Sequence, residues 1–273
     1  MNVRSWLKNY QNPDNKIILA HVLGVDPTWL VTHDDFDIPK LQLQQATTMV
    51  LDRINGEPLA YILGYKDFYG RKFFVKMSLP DAAPMDRELK SLIPRPETET
   101  IIDMVKALPF SPKKILDVGT GSGCIAITLA LELPESEVLA SDYDYRYQEL
   151  IRLSAKQYKT EYHNNLSFIC SDLLDDISEH FDVIVANLPY VDKKWDWIDE
   201  GALNAEPSSA LYADDGGLKL TKELIEQAAT KRACEYLLLE ADPCQHEAIK
   251  KYAQNFGFEH IKTDGFILCM HLA

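Results

Sequence analysis

The sequence predicts an α/β protein: a mostly parallel sheet with helices on both faces and an antiparallel hairpin at its C-terminal end, preceded by a small helical bundle. Three observations carry this. From Pro112 onward, short β-prone apolar runs alternate with helix-period segments. The first strand ends in a glycine-rich turn, and acids close the next two. The first ~65 residues show helical spacing only and hold no cluster of reactive side chains.

The bundle is read from "DNKIILAHVLGV", which ends at a glycine, and from "IPKLQLQQATTMVLDRINGEPLAYILG", broken at Gly56–Pro58. It is expected to serve recognition or docking. Between Tyr65 and Thr98 the character changes. "DFYGRKFFV" is aromatic and β-prone, "MSLPDAAPMDRELKS" is turn-rich, and "LIPRPETE" carries two prolines. A two-stranded connector is expected here, with Thr98 as N-cap of the helix that follows. The expected domains are therefore 1–66 (helical), 67–98 (β-hairpin connector) and 99–273 (α/β).

Within the last of these, "KKILDVG", "SEVLASD", "LSFIC", "FDVIVAN" and "EYLLLEA" read as strands. "GCIAITLALEL", "YQELIRLSAKQY", "GGLKLTKELIEQAATKRA" and "PCQHEAIKKYAQNF" read as helices between and after them. "FEHIKTDGFILCMHL" reads as a hairpin turning at Thr263–Gly265, which adds an antiparallel strand.

Composition sets the class. The 273 residues are 46% hydrophobic, enough for a sizeable core. No apolar run is long enough for a membrane span, and the N-terminus lacks a signal-peptide pattern. A cytoplasmic, monomeric protein without membrane attachment is expected. Cys124, Cys170, Cys234, Cys244 and Cys269 are scattered and form no CxxC pair, which fits reduced thiols. The seven histidines lack metal-ligand spacing, so no metal is expected. The net charge of −14 weighs against a phosphate backbone as a stable partner.

The chemistry-bearing stretches lie at the strand ends. "LDVGTGSGC", residues 116–124, places glycines at 119, 121 and 123, where the backbone turns tightly and approaches a ligand closely. In open α/β sheets, ligands bind beyond the carboxyl ends of the strands. The spacing is GxGxG, not the GxGxxG of dinucleotide sites, and Asp117 stands two residues before the first glycine. That pattern suits S-adenosylmethionine, which has no pyrophosphate to cradle. Asp142 closes the second strand and can accept hydrogen bonds from ribose hydroxyls; Asp144 is the weaker candidate. Asp172 closes the third strand, suited to an adenine amino group with Leu173 against the ring. Two classes remain at this point, an S-adenosylmethionine methyltransferase and a nicotinamide dehydrogenase.

"NLPY", residues 187–190, separates them. A dehydrogenase wants a His, Tyr–Lys or Arg constellation after the fourth strand. Asn187, Leu188, Pro189 and Tyr190 suit methylation of a planar –NH2 group, whose lone pair is delocalised. The Asn187 side-chain oxygen and the Leu188 carbonyl can accept its two hydrogens, so that the nitrogen pyramidalises. Pro189 fixes the backbone, and Tyr190 offers a flat face. Catalysis is then positioning and fixed dipoles.

"ILDVGTGSGCIAI" with "NLPY" resembles the amino-methyltransferases whose motif is (N/D)PPY. "GEPLAYILGYKDFYG" (56–70), "LIPRPETE" (92–99), "EPSSALYADDGGL" (206–218) and "LLLEADPCQ" (237–245) are similar to the HemK/PrmC family, the N(5)-glutamine methyltransferases of peptide chain release factors. This resemblance covers nearly the whole chain. It implies a Rossmann-like class I methyltransferase fold and S-adenosylmethionine as methyl donor, with S-adenosylhomocysteine as product. It also implies a class 1 release factor as substrate, methylated on the glutamine of its Gly-Gly-Gln loop. The family's cofactor contacts carry over onto Gly119, Thr120, Gly121, Ser122, Gly123, Asp142, Asp172, Leu173 and Asn187. The alternatives are an adenine-N6 or cytosine-N4 methyltransferase acting on a flipped base, methylation of another protein glutamine, and a binding protein that lost turnover through Leu188. Leu188 stands where the family has its first proline. The 76–91 stretch is longer than the family's connector, and Tyr143 or Tyr145 follows the ribose acid in place of small residues. Trp195 and Trp197 are candidates for the substrate entrance.

Overall fold

The computed structural model describes residues 1–79, 88–158, 165–196 and 205–272. These residues divide into two compact units, residues 1–64 with 205 in the first, and the remainder in the second. The strand pairs expected as a connector belong to the second unit.

The first unit is helical: α1 (Val3–Asn9), α2 (Asp14–Leu23), α3 (Trp29–Thr32), α4 (Lys40–Ile54) and α5 (Leu59–Leu63). Helix α2 ends at Gly24 in the left-handed conformation, and Pro58 starts α5, as the glycine and proline positions require. Trp6, Ile18, Leu19, Leu30 and Val50 form the core of this unit.

The second unit opens with two hairpins where the sequence predicts one strand pair. The first is β1 (Tyr65–Phe68) with β2 (Arg71–Phe74); the second is β3 (Lys76–Ser78) with β4 (Glu88–Lys90). The second hairpin uses the residues on either side of 80–87, which lie outside the described residues, so the turn-rich run had hidden two short strands. Phe68 and Phe73 put the first hairpin's apolar side into the main core.

A 3-10 turn (Pro96–Thr98) leads into α6 (Glu99–Lys106). The alternating region follows: β5 (Lys114–Val118), α7 (Cys124–Glu132), β6 (Glu137–Asp142), α8 (Tyr147–Lys156), β7 (Leu166–Cys170), β8 (Phe181–Ala186), α9 (Ser208–Leu211), α10 (Lys219–Thr230), β9 (Cys234–Glu240), α11 (His246–Gln254), β10 (Phe258–Asp264) and β11 (Ile267–Leu272). Seven strands make one sheet in the order β10-β11-β9-β8-β5-β6-β7. Strands β5 to β9 pair in parallel; β11 runs antiparallel to β9, and β10 to β11. Thus the hairpin adds two strands, not one, and its turn is Gly265–Phe266, since Asp264 still pairs with Ile267.

Both faces are covered, and the strand residues alternate between two cores. Leu116, Ile184, Leu237, Leu239 and Leu268 face α10 and α11 residues such as Leu224 and Ile249. Ile115, Val183, Val185, Leu238 and Ile267 face Ile101 and Val105 of α6 and Ile127 of α7. The chain order reverses at β5, whose neighbours are β6 on one side and β8 on the other. A ligand cleft is expected at that point, outside the strands' carboxyl ends. No helix among the described residues is long and apolar enough to cross a membrane.

Candidate active site

A cavity opens at that reversal, with about 930 Å³ of empty space, open solvent included. Its lining draws on the loops that leave β5, β6, β7 and β8. Gly119, Thr120, Gly121 and Ser122 come from the β5–α7 turn, Asp142 and Tyr143 from the end of β6, and Ser171, Asp172 and Leu173 from the end of β7. Asn187, Leu188 and Pro189 follow β8, Leu92, Pro94 and Thr98 come from the loop before α6, and Ser209, Ala210 and Leu220 close the other side.

The β5–α7 turn is held open by hydrogen bonds. The Gly119 and Thr120 amides donate to the Ser141 carbonyl at 2.9 Å each. Gly119 has φ +72°, which favours glycine, and a β-carbon there would stand 2.8 Å from Leu188 Cδ2, so the turn and the Leu188 side chain lie in close approach. Gly123 does not line the cavity. An added β-carbon would meet Ile151 of α8 at 2.8 Å, so this glycine serves helix packing.

Asp117 is also turned away from the cavity. Its Oδ2 accepts from the Thr120 hydroxyl at 2.7 Å and from the Ala126 amide at 3.1 Å, bracing the turn from beneath. Burial pushes its pKa up to about 7 against these donors. Asp142 stays at the surface of the cavity, with Oδ2 taking the Gly121 amide at 2.9 Å. Burial raises its pKa to about 6, opposed by the Gly121 and Asp144 amides. For Asp144, burial acts upward but the Arg146 hydrogen bonds prevail, and the carboxyl lies below its ordinary range. Asp144 is thus occupied by its own arginine.

These raised values have a consequence for stability. The folded chain binds the Asp117 and Asp142 protons more tightly than an unfolded chain does. The stabilisation is full below the unfolded value of 3.8 and is lost as pH rises through about 6 for Asp142 and about 7 for Asp117. Between roughly pH 4 and pH 7, the wild-type Tm is therefore expected to fall relative to that of Asp117→Asn, measured by thermal denaturation without ligand. A constant difference across that range would contradict the buried-acid assignment.

The loop after β8 is locked from three sides. The Tyr190 carbonyl accepts from Gln245 Nε2 at 2.8 Å, and the same nitrogen also donates to the Gly216 carbonyl at 2.8 Å. The Val191 amide donates to the Leu211 carbonyl at 3.0 Å. Asn187 Nδ2 donates to Thr98 Oγ1 at 3.2 Å. Thr98 takes the N-cap position of α6, as expected, but its side chain makes no capping hydrogen bond. The turn at Pro96 has already brought it into helical backbone angles, and its hydroxyl faces Asn187 instead. Tyr190 lies outside the cavity lining, and its phenol donates to Glu240 Oε1 at 3.3 Å. Burial raises the Glu240 pKa, while contacts with Thr98 and Tyr190 oppose it.

The loop bearing Thr98 has its own anchor. Glu206 takes Arg95 Nη2 at 2.5 Å and the Ile93 amide at 2.9 Å. The segments 92–99, 187–190, 206–218 and 237–245, far apart in sequence, therefore meet at one end of the sheet. Arg95, Glu206, Gly217, Glu240 and Gln245 lie in stretches whose motifs are visible in the sequence, but their pairings are not. Trp195 sits in the turn beyond Val191 and does not line the cavity; Trp197 lies outside the described residues. Cys124 borders the cavity, but burial pushes its thiol up to about 12, which removes it as a nucleophile. Among the described residues, no group of three or more His, Cys, Asp or Glu side chains could hold a metal ion.

The PrmC N-terminal domain model matches residues 11–64, and the methyltransferase small domain model matches residues 98–202. A release factor glutamine methyltransferase of Salmonella typhimurium is 32% identical, covering 96% of this chain and 94% of the relative. The release factor glutamine methyltransferase of Francisella tularensis is 37% identical over 79% of this chain and 72% of its own.

The chain belongs to the release factor glutamine methyltransferase family.

It is accordingly a methyltransferase, and its fold is shared beyond the family. The hMettl16 catalytic domain, solved in complex with a hairpin, superposes with a TM-score of 0.53 at 16% identity, over 86% of this chain and 82% of that one. At that identity the likeness concerns the fold alone. Family membership favours a protein glutamine over the nucleic-acid alternative.

Proposed function

We propose that this enzyme transfers a methyl group from S-adenosylmethionine to the side-chain amide nitrogen of the glutamine in the Gly-Gly-Gln loop of a class 1 peptide chain release factor. The observation that supports it most is the position of Asn187: an amide lining the cavity at the strand ends, held by a motif segment of the family.

The cavity's residues fit the donor. One carboxylate, Asp142, faces it at the end of β6, the side-chain-free wall at Gly119 permits close approach, and Leu173 and Leu188 offer apolar surface. In this reading Asp142 holds the ribose hydroxyls, Asp172 and Leu173 hold the adenine, and residues 119–122 follow the amino-acid portion. When bound, the cofactor's sulfonium supplies a methyl group on a good leaving atom. The protein's own work is to position the acceptor. Asn187 Oδ1 and the Leu188 carbonyl accept the two amide hydrogens of the glutamine. Both acceptors favour a pyramidal nitrogen, whose lone pair is then free to attack. Only the Leu188 backbone is used, so a leucine serves where the family has proline. The methylated nitrogen is acidic and releases its proton without a strong base. Tyr190, tied to Glu240, stands outside the lining as the flat wall on the substrate side. The helical unit, residues 1–64, is proposed to hold the release factor.

Labelled methyl from S-adenosylmethionine is expected to enter purified release factor and to be lost when its Gly-Gly-Gln glutamine is changed to alanine. Label in RNA or DNA, or unchanged label in that variant, would refute the assignment. Asp142→Ala is expected to weaken S-adenosylmethionine binding by about ten- to a hundredfold, the worth of hydrogen bonds to a charged group. Calorimetry finding an unchanged affinity would move the ribose contact elsewhere.

A further inference from the structure

Among the described residues, four other than glycine have left-handed backbone: Tyr69, Leu173, Asp215 and Arg232. Of these, only Leu173 lines the cavity. Its φ is +47°, which a leucine keeps only where its surroundings hold it. Leu173 is also the residue assigned above, with Asp172, to the adenine of the cofactor.

The holding group is Ser171, the first residue after β7, which is 3% exposed. Its Oγ donates to the Leu173 carbonyl at 3.1 Å and accepts from the Asp176 amide at 3.1 Å. A carbonyl only accepts and a backbone N–H only donates, so these two partners fix the direction of the hydroxyl hydrogen. The Ser171 amide donates to the Asp142 carbonyl at 2.9 Å, which ties the same residue to the end of β6. Leu174 is pinned from the other side. Its amide donates to Gln227 Oε1 of α10 at 2.8 Å, and its carbonyl accepts from Lys231 Nζ at 2.5 Å. Leu173 spans these two fixed points with its own amide left over. Among the described residues that amide meets no acceptor, and the Asp172 carboxylate meets no donor. Asp117, Asp142 and Asp144 by contrast are all partnered.

A free acceptor and a free donor on consecutive residues match one base edge and oppose another. Adenine presents an amino donor beside a ring-nitrogen acceptor. Hypoxanthine presents a carbonyl acceptor beside an N–H donor. We propose that Ser171 is a positioning residue for the cofactor: its hydroxyl closes the turn that keeps Leu173 left-handed, so that the Asp172 carboxylate and the Leu173 amide stand side by side as acceptor and donor for the adenine edge. This rests on the reading of Asp172 and Leu173 as the adenine site. Ser171 acts through the Leu173 backbone.

The test is calorimetry with S-adenosylhomocysteine and S-inosylhomocysteine, which differ only at that edge. The wild type is expected to prefer the adenosyl compound by about a hundredfold or more, since the wrong edge leaves polar groups unpaired. Ser171→Ala is expected to lower that preference about tenfold, by weakening the adenosyl compound and changing the inosyl compound by less than about threefold. A purely structural role would lower Tm and weaken both compounds alike, leaving their ratio intact. Leu173→Gly is expected to weaken both through lost apolar surface but to keep the ratio within about threefold, because glycine takes the left-handed conformation unaided. In that background Ser171→Ala is expected to change the ratio by less than about threefold. Leu173→Val keeps the amide but opposes the conformation, and is expected to lose preference as Ser171→Ala does. If Ser171→Ala does not fold, Ser171→Cys, which keeps the shape with a weakly bonding thiol, is expected to lower the ratio in its place. An unchanged ratio on loss of the hydroxyl, or an undiminished effect in the Leu173→Gly background, would overturn the proposal. Asp172→Ala is measured alongside. A retained preference there would defeat the reading of the adenine site itself, whereas its loss with Ser171→Ala unaffected would defeat this inference alone.

Discussion

Asn187→Ala is expected to lower kcat by about 10²–10³-fold, the usual cost of removing one fixed dipole aimed at a developing charge. The methyl acceptor then keeps the Leu188 carbonyl but loses the side-chain oxygen. Its nitrogen stays closer to planar, with the lone pair shared into the carbonyl. Cofactor affinity is expected to change little, because the turn at residues 119–122 and Asp142 lie on other loops and are braced by their own hydrogen bonds. The fold is also expected to survive. Asn187 gives up one hydrogen bond, to Thr98 at 3.2 Å, and Thr98 keeps Glu240 as its neighbour. Stopped-flow or single-turnover methylation separates chemistry from release, and a near-normal single-turnover rate would exclude the positioning mechanism.

Gly217→Ala is expected to disable the same loop from behind. Gly217 has φ +81°, and a β-carbon there would fall 1.9 Å from the Tyr190 carbonyl oxygen and 2.6 Å from Gln245 Nε2. The Tyr190 carbonyl is backbone and has no rotamer to escape into, so the loop or the 216–217 turn must move. The left-handed conformation alone costs on the order of 1 kcal/mol for alanine, and forced repacking adds about 1–3 kcal/mol. The Gln245 bridge from Tyr190 to Gly216 opens as well. Both stability and kcat should fall. Gly265→Ala supplies the comparison, since it has φ +56° but nothing within 4 Å of the added carbon. It carries the backbone strain without the collision. Thermal denaturation and kcat of the two variants side by side test this, and equal losses would mean that strain, not the approach to Tyr190, is the cause.

The fold was legible because its signal is periodic and local. Ile115 and Leu116, or Leu237 to Leu239, alternate between two buried faces, which is why they read as continuous apolar runs. The glycine turn and the acids Asp142 and Asp172 were legible for a related reason: each stands at the end of a strand, and strand ends can be counted. The locking of the site was not. Gln245 holds Tyr190 from 55 residues away, and Glu206 holds Arg95 from 111. Neither pairing has a local signature, because a side chain reaching a distant carbonyl leaves no spacing rule. Thr98 was legible by position only. It stands at the N-cap of α6, but the turn from Pro96 holds it in helical angles, and its hydroxyl meets Asn187 and makes no capping bond. Gly123 was misleading in the same way. It belongs to the glycine run by spacing, yet the close neighbour it accommodates is Ile151 of α8.

The most direct test of the account is peptide mapping by tandem mass spectrometry of a release factor incubated with this enzyme and S-adenosylmethionine. A single added methyl on the side-chain nitrogen of the Gly-Gly-Gln glutamine is expected, formed by the wild-type enzyme and nearly absent with Asn187→Ala. A methyl found on any other residue, or no methyl on the release factor while a nucleic acid in the same mixture is modified, would contradict it.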